Sequence, residues 1–300
     1  MQDPMSISYT LLNHKMRFNH WLINTRNFHG DLAVFKCSAH AKWILAGEHA
    51  VLRGHPAIVF PKMDSQLKLQ FEPADRLSIS LDTPSENIEQ LEALIKTLLI
   101  QKKLPPINGI LHFDNHIPMG KGFGFSAALS ICLAKLLIHF GLKEPLFSLA
   151  HQIEHHFHGK SSGLDIAGCL YDKPIYFQNS KIIPLEITSW PHIQLIDSGI
   201  SARSSLCIQK VYRLFESNPN LAHTVDQEMK ISCLMAKEAL LTGDIKQLAD
   251  AIEKGQSCFS KWGLITPEIS GQIKMIKENG AIACKLSGAG LGGLLIGLYD

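Results

Sequence analysis

From Asp31 onward, short runs rich in β-branched and aromatic residues alternate with stretches in which apolar positions recur every three or four residues. The first pattern suits strands and the second amphipathic helices, so the chain reads as α+β, with no repeat and no low-complexity linker. Strands are expected at Leu32 to Cys37, Ala57 to Pro61, Gln66 to Phe71, Leu77 to Leu81 and Gly109 to Asn115. A helix is expected from Glu86 to about Lys103, where Pro105 and Pro106 stop it. A second carries Phe125, Ala128, Leu129, Cys132, Leu133, Leu136, Leu137 and Phe140, a spacing that sets one apolar stripe against a core. A third, from Pro145 to about His158, buries Leu146, Leu149, Ala150, Ile153 and Phe157 and leaves Glu154 at the edge of its stripe. Strands at Pro174 to Gln178, Ile182 to Glu186 and Ile193 to Asp197 follow, then helices over Arg203 to Glu216, Leu221 to Leu241 and Ile245 to Cys258. A final helix and two β-like runs close the chain. The change from strand-rich to helix-rich sequence near Trp190 divides it into residues 31–190 and 191–300, behind a leader at 1–30.

With 46% hydrophobic and 19% charged residues, 300 residues can bury a large core. The net charge of +2 falls short of the concentrated basic surface of a nucleic-acid binder, and no apolar run approaches the length needed to span a bilayer. Neither nucleic acid nor membrane is an expected partner. The seven cysteines are scattered without a CxxC pair, which suggests neither a disulfide framework nor a zinc cage and points to a reducing cytoplasm. The leader holds Lys15, Arg17 and Arg26 against Asp3 but lacks the apolar core of a secretory signal.

Candidate chemistry begins with the run HIPMGKGFGFSAAL from His116 to Leu129, where Gly120, Gly122 and Gly124 directly precede a helix. Bare backbone amides there could approach a phosphate, although a glycine-rich turn satisfying only its own geometry reads equally well. The spacing departs from a Walker A loop, which needs a lysine and then Ser or Thr after its last glycine, and GxGxG is not the dinucleotide-binding GxGxxG. A second glycine loop, Gly288 to Gly293, lies too near the C-terminus to open a dinucleotide-binding unit.

Four segments resemble the GHMP kinases, in the mevalonate kinase pattern. SAHAKWILAGEHAVLRGHPA, from Ser38 to Ala57, is similar to SAPGKxxLxGEHxVxxGxPA and puts Lys42, Glu48 and His49 on family positions, with His40-Ala41 in place of Pro-Gly. The loop at Gly120 to Ala128 resembles PxGxGLGSSAA, with Ser126 on the second serine and Phe125 on the first. HGKSSGLD, from His158 to Asp165, resembles HGxPSGxD, and KLSGAGLGG, from Lys285 to Gly293, resembles KLTGAGGGG with Leu291 on a glycine. Ser204 falls where the family has a substrate-side threonine.

The resemblance implies a two-domain GHMP kinase fold with the active site between the domains, the second apparently shortened, and ATP and Mg2+ as cofactors. It implies Asp165 as catalytic base and Lys42 as the cation that orients it. Gly120, Lys121, Gly122, Gly124 and Ser126 would hold the nucleotide, Ser126 and Glu154 the metal, and Glu48, His49, Ser204, Gly288 and Ala289 the acceptor side. Lys121, on a small-residue position, reads equally as a phosphate contact or a solvent-facing cation. The expected reaction is ATP-dependent phosphorylation of an alcohol, the C5 hydroxyl of mevalonate in isoprenoid precursor synthesis, and a homodimer is left open. The alternatives are a phosphomevalonate, homoserine or sugar acceptor, or a GHMP-fold regulatory protein that binds nucleotide without turnover. His151, His155 and His158, at i, i+4 and i+7, are also open to a transition metal, although the only nearby carboxylate, Glu154, has a better use.

Overall fold

A computed structural model describes residues 34 to 300, apart from 83, 160, 202 and 203. The leader at 1–30 and the start of the strand expected from Leu32 lie outside the described residues. In chain order the elements are β1 (Phe35–Ala46), a 3-10 turn (Ala50–Arg53), β2 (Ala57–Pro73), β3 (Ser78–Ser80), α1 (Ser85–Gln101), β4 (Gly109–Asn115), α2 (Phe125–His139), α3 (Leu146–His158) and α4 (Leu164–Leu170). They continue with β5 (Ile175–Gln178), β6 (Lys181–Pro184), β7 (His192–Asp197), α5 (Ser204–Ser217), α6 (Pro219–Thr242), α7 (Ile245–Lys261), α8 (Pro267–Glu278), β8 (Ala283–Ser287) and β9 (Leu294–Tyr299).

The long strand β2 organises the first sheet. It pairs antiparallel with β1, with β4 through its second half and with β5 through its first residues; β3 lies parallel to β4 and β6 antiparallel to β5. The two strands expected at Ala57 to Pro61 and Gln66 to Phe71 are thus one. Between them the register slips, with Ala41 opposite Lys62 but His40 opposite Gln66, so residues 63–65 form a bulge that reads in sequence as a break. β1 likewise runs on to Ala46, nine residues beyond the expected end at Cys37, because its second half pairs with β2 and is buried. The second sheet, β7-β9-β8, is antiparallel throughout.

The expected helices α1, α2, α3 and α5 to α8 are all present, but two faces differ from expectation. α2 is buried from Ala127 to Ala134 and again at Leu136 and Leu137, so apolar contact surrounds most of it; it packs on β1 and β2 and also against α3 and α4. On α3, Glu154 is 1% exposed while Phe157 is 38% exposed, the reverse of the stripe read from sequence. That helix turns a carboxylate inward. α6 begins at Pro219 because the Asn218 side chain accepts from the Leu221 amide at 3.1 Å, and α7 and α8 are capped in the same way by Asp244 and Thr266.

α4 was not expected as a helix: it spans seven residues and contains a glycine. It survives by packing against β1, β2 and α2, where its core face is wholly buried. The main apolar cluster links β1, β2 and α2 to α6, α7 and β9, and residues 33–300 form one compact unit. No described helix is long and apolar enough to cross a membrane.

Gly168 tests this packing. A Cβ there would lie 2.4 Å from Val59 Cγ2 on β2 and 3.0 Å from Lys42 Cβ, the latter fixed by the β1 backbone. Gly168→Ala should therefore lower stability by about 1–3 kcal/mol despite alanine's better helix propensity. Urea denaturation would measure it, and an unchanged midpoint would mean that α4 does not seat on β1 and β2 this closely.

Candidate active site

Lys42 lies in the interior of β1 with only 2% of its side chain exposed. A buried ammonium needs partners, and the glycine loop supplies one. Lys42 Nζ donates to the Gly122 carbonyl at 3.1 Å, and its backbone amide donates to the Phe123 carbonyl at 2.9 Å. The other partner is Asp165 in the first turn of α4, whose Oδ1 lies 3.0 Å from Nζ. Gly124, which precedes α2, has φ +81°, and a Cβ on it would stand 2.9 Å from two carbons of the Lys42 side chain. That position needs glycine for both its backbone and its neighbour.

Asp165 is 32% exposed, so of this pair it is the carboxylate that can reach an incoming molecule. Glu154 sits behind it. Burial, then the charge of Asp165, pushes the Glu154 carboxyl up to about 8, against the opposing pull of a Ser161 hydrogen bond and of Lys42. Lys42 is ion-paired with Asp165 and not with Glu154 among the described residues; the oxygen donors of Glu154 and Ser126 are of the hard kind that would suit Mg2+, which takes few protein ligands. Ser126 is the second residue of α2, half-buried, at the helix end that follows the glycine loop.

Ser161 had no role in the sequence reading. Its hydroxyl donates to Glu154 Oε2 and accepts from the Gly163 amide at 3.1 Å. Its carbonyl accepts from His151 Nε2 at 3.0 Å, and because a carbonyl only accepts, that nitrogen carries the proton. His155 Nε2 lies 3.2 Å from the same nitrogen. His151 is thus committed to Ser161 through the atom that a metal shared with His155 would need. The His158 side chain lies outside the described residues, and no group of three His, Cys, Asp or Glu among the described residues is placed to hold a metal.

The second glycine loop meets the first. A Cβ on Gly122 would lie 3.5 Å from the Ser287 carbonyl, and one on Gly288 would lie 3.8 Å from Gly122 Cα. Ser287, also absent from the sequence reading, is buried; its hydroxyl accepts from the Ile44 amide at 2.9 Å and donates to the Ile44 carbonyl at 2.8 Å. Lys121 neither faces open solvent nor stands alone, because its Nζ pairs with Asp197 at the end of β7, 3.2 Å away.

Several expected residues take other places. Glu48 and His49 are both buried. Glu48 is buried against Lys285 of β8, and His49 Nε2 donates to the Ala289 carbonyl at 2.7 Å, so both fasten the end of β1 to the C-terminal strand and loop. Ser204 begins α5, and no hydrogen bond or ion pair joins it to the Lys42 cluster among the described residues. Phe125 turns against the main apolar cluster. His40, on β1 opposite the β2 bulge, is partly buried, and burial with the nearby Lys135 charge holds it below the ordinary histidine range. Two surface cavities, of about 290 and 340 Å3, share no residue with this cluster.

A buried lysine beside a half-exposed carboxylate, with glycine loops on one side, is an arrangement that can take a proton from an alcohol next to a polyphosphate. The profile of the GHMP kinases N terminal domain matches residues 90–173, and that of the GHMP kinases C terminal matches residues 236–300. The chain belongs to the GHMP kinase superfamily, a class of ATP-dependent small-molecule kinases. Among curated relatives, mevalonate kinase of Archaeoglobus fulgidus is 28% identical over 269 residues, covering 87% of this chain and 91% of that protein. Mevalonate kinase of Methanothermobacter thermautotrophicus is 24% identical, covering 86% and 88%. The fold matches L. major mevalonate kinase in complex with R-mevalonate at TM-score 0.71 and 21% identity, over 89% of this chain and 87% of that one. It matches Lactococcus lactis galactokinase complexed with galactose equally well, at TM-score 0.71 and 14% identity, over 89% and 85%.

The His49 contact carries a pH signature. Burial lowers this imidazole from 6.5 to about 4, so it stays neutral in the folded protein while the unfolded chain protonates near 6.5. Its contribution to stability is complete above 6.5 and lost as pH falls toward 4. The wild type should lose melting temperature across that window more steeply than His49→Gln, which starts less stable. Parallel curves for the two proteins would place the acid sensitivity elsewhere.

Proposed function

We propose that the chain transfers the terminal phosphoryl group of ATP to the C5 hydroxyl of mevalonate, a step of isoprenoid precursor synthesis. The observation that carries the reading is the Lys42–Asp165 pair, 3.0 Å apart and bonded to the first glycine loop through Gly122. Asp165 accepts the hydroxyl proton as the acceptor oxygen bonds to the γ-phosphorus and the bond to the β,γ-bridging oxygen breaks, with ADP leaving. Lys42 holds Asp165 in place and sets a positive charge beside the reacting oxygens. Gly120, Gly122 and Gly124, with the first amides of α2, cradle the phosphates. Ser126 and Glu154 hold Mg2+, which supplies charge neutralisation to the phosphate oxygens when bound. Lys121 exchanges Asp197 for the nucleotide, and Gly288 and Ala289 border the acceptor side.

The choice of mevalonate rests on the HGKSSGLD context of Asp165 and on the mevalonate kinases among the relatives. Galactokinase and phosphomevalonate kinase share the fold, so fold alone does not choose the acceptor. Purified protein with Mg-ATP should phosphorylate mevalonate faster than phosphomevalonate, homoserine or galactose, and phosphorus NMR should place the phosphate on C5. A preference for another acceptor would overturn the mevalonate assignment. ATP binding without phosphotransfer to any acceptor would favour the regulatory reading.

Asp165→Asn should cut turnover roughly a hundred- to ten-thousandfold with ATP affinity nearly unchanged, since the base acts on the acceptor. Near-normal turnover in a folded variant would remove Asp165 from the role.

A further inference from the structure

In the motif that HGKSSGLD resembles, the fourth residue is proline, which has neither a hydroxyl nor a backbone N–H; here it is Ser161. The substitution is not idle. Ser161 reaches back seven residues from its loop to Glu154 on α3, and the bond it makes falls on a carboxylate that is 1% exposed. A buried carboxylate on a long side chain has several rotamers, and one donor bond selects among them.

The loop that carries this hydroxyl is itself held from three directions. His151 grips the Ser161 carbonyl at 3.0 Å, the Gly163 amide donates to Ser161 Oγ at 3.1 Å, and the Leu164 amide donates to Ser162 Oγ at 3.2 Å. Gly163, at φ +81°, packs so closely that a Cβ would stand 3.1 Å from the Phe147 ring. Two residues further on is Asp165. One short segment therefore fixes the orientation of Glu154 through a side chain and the position of Asp165 through the backbone.

We propose that Ser161 is a positioning residue for the divalent-cation site: its hydroxyl fixes the Glu154 carboxylate and leaves the second oxygen, outside that bond, to the metal. The proposal rests on the reading of Glu154 as a metal ligand. Partners that orient a metal-binding side chain act on affinity for the ion, so the effect belongs in metal binding and not in acceptor binding.

The test measures Mn2+ binding to the full chain with ADP by electron paramagnetic resonance, beside the Mg2+ concentration for half-maximal rate, the acceptor KM and the melting temperature. Ser161→Ala should weaken Mn2+ binding roughly tenfold and raise the Mg2+ requirement to match, with the acceptor KM unchanged. Ser161→Thr, which keeps the hydroxyl, should recover most of the loss. Ser161→Pro, which installs the residue of the resembled motif, should bind Mn2+ as weakly as Ser161→Ala and covers the case in which alanine fails to fold. If Glu154→Gln weakens Mn2+ binding while the folded Ser161 variants bind it like wild type, the proposal fails and the ligand assignment stands. If Glu154→Gln also binds Mn2+ like wild type, the ligand assignment fails and takes the proposal with it.

Discussion

A lysine cut off from water in the middle of a β-strand must find its counter-charge inside the protein, and much of this architecture follows from where Lys42 finds it. Its ammonium bonds to a carbonyl of the first glycine loop and to a carboxylate on α4. Those bonds draw two segments, 80 and 123 residues away in the chain, onto one strand. The aliphatic stem imposes further conditions, because a Cβ on Gly124 would stand 2.9 Å from two of its carbons and one on Gly168, already excluded by Val59, would stand 3.0 Å from Lys42 Cβ. One buried side chain thus constrains two glycines as well as forming a salt bridge. Behind Asp165 lies a second carboxyl, Glu154, which burial and the Asp165 charge hold toward its neutral form.

The end of β1 and the C-terminal sheet are joined by polar bonds of the same costly kind. Lys285 and Glu48 are 0% and 2% exposed and pair with each other, and the 3-10 turn is tied separately to α6, where Arg53 Nη2 donates to buried Asp226 at 2.6 Å. Buried pairs like these add little net stability over an apolar replacement, yet losing one partner costs about 3–5 kcal/mol, so they fix geometry more than they raise stability. Ser287 does the same with neutral bonds, taking both the amide and the carbonyl of Ile44. These bonds tie β8 to β1 and to the turn that follows it, beside the place where the two glycine loops meet.

Departures from the resembled motifs are accommodated locally. Leu291, on a glycine position, adopts φ +61°, which costs about 1 kcal/mol; its amide bonds to the Leu264 carbonyl at 2.9 Å and its side chain packs beside an apolar cluster, offsetting that strain. Phe125, on a serine position, joins the main core. His40-Ala41, on Pro-Gly, falls at a register slip of β1 against β2, where an irregular backbone is already built in.

Lys42, Asp165, Gly122 and Gly124, which the fold brings together, were legible from the sequence because they stand in motifs whose spacing is local. Most elements were legible too, because periodicity is a property of neighbours along the chain; β4 matched to the residue. The sequence could not show that a bulge joins two runs into one strand, or that seven residues containing a glycine form a helix, since pairing partners and packing decide both. It also could not show which way α3 turns. Glu154 at the edge of an apolar stripe reads as solvated, and only the packing of α3 against α2 and α4 makes it a buried acid beside Asp165. Ser161, Ser287 and the fastening roles of Glu48 and His49 stayed hidden for the same reason: a hydrogen bond between residues seven, or 243, positions apart leaves no trace in local spacing, because the chain must fold before donor and acceptor become neighbours.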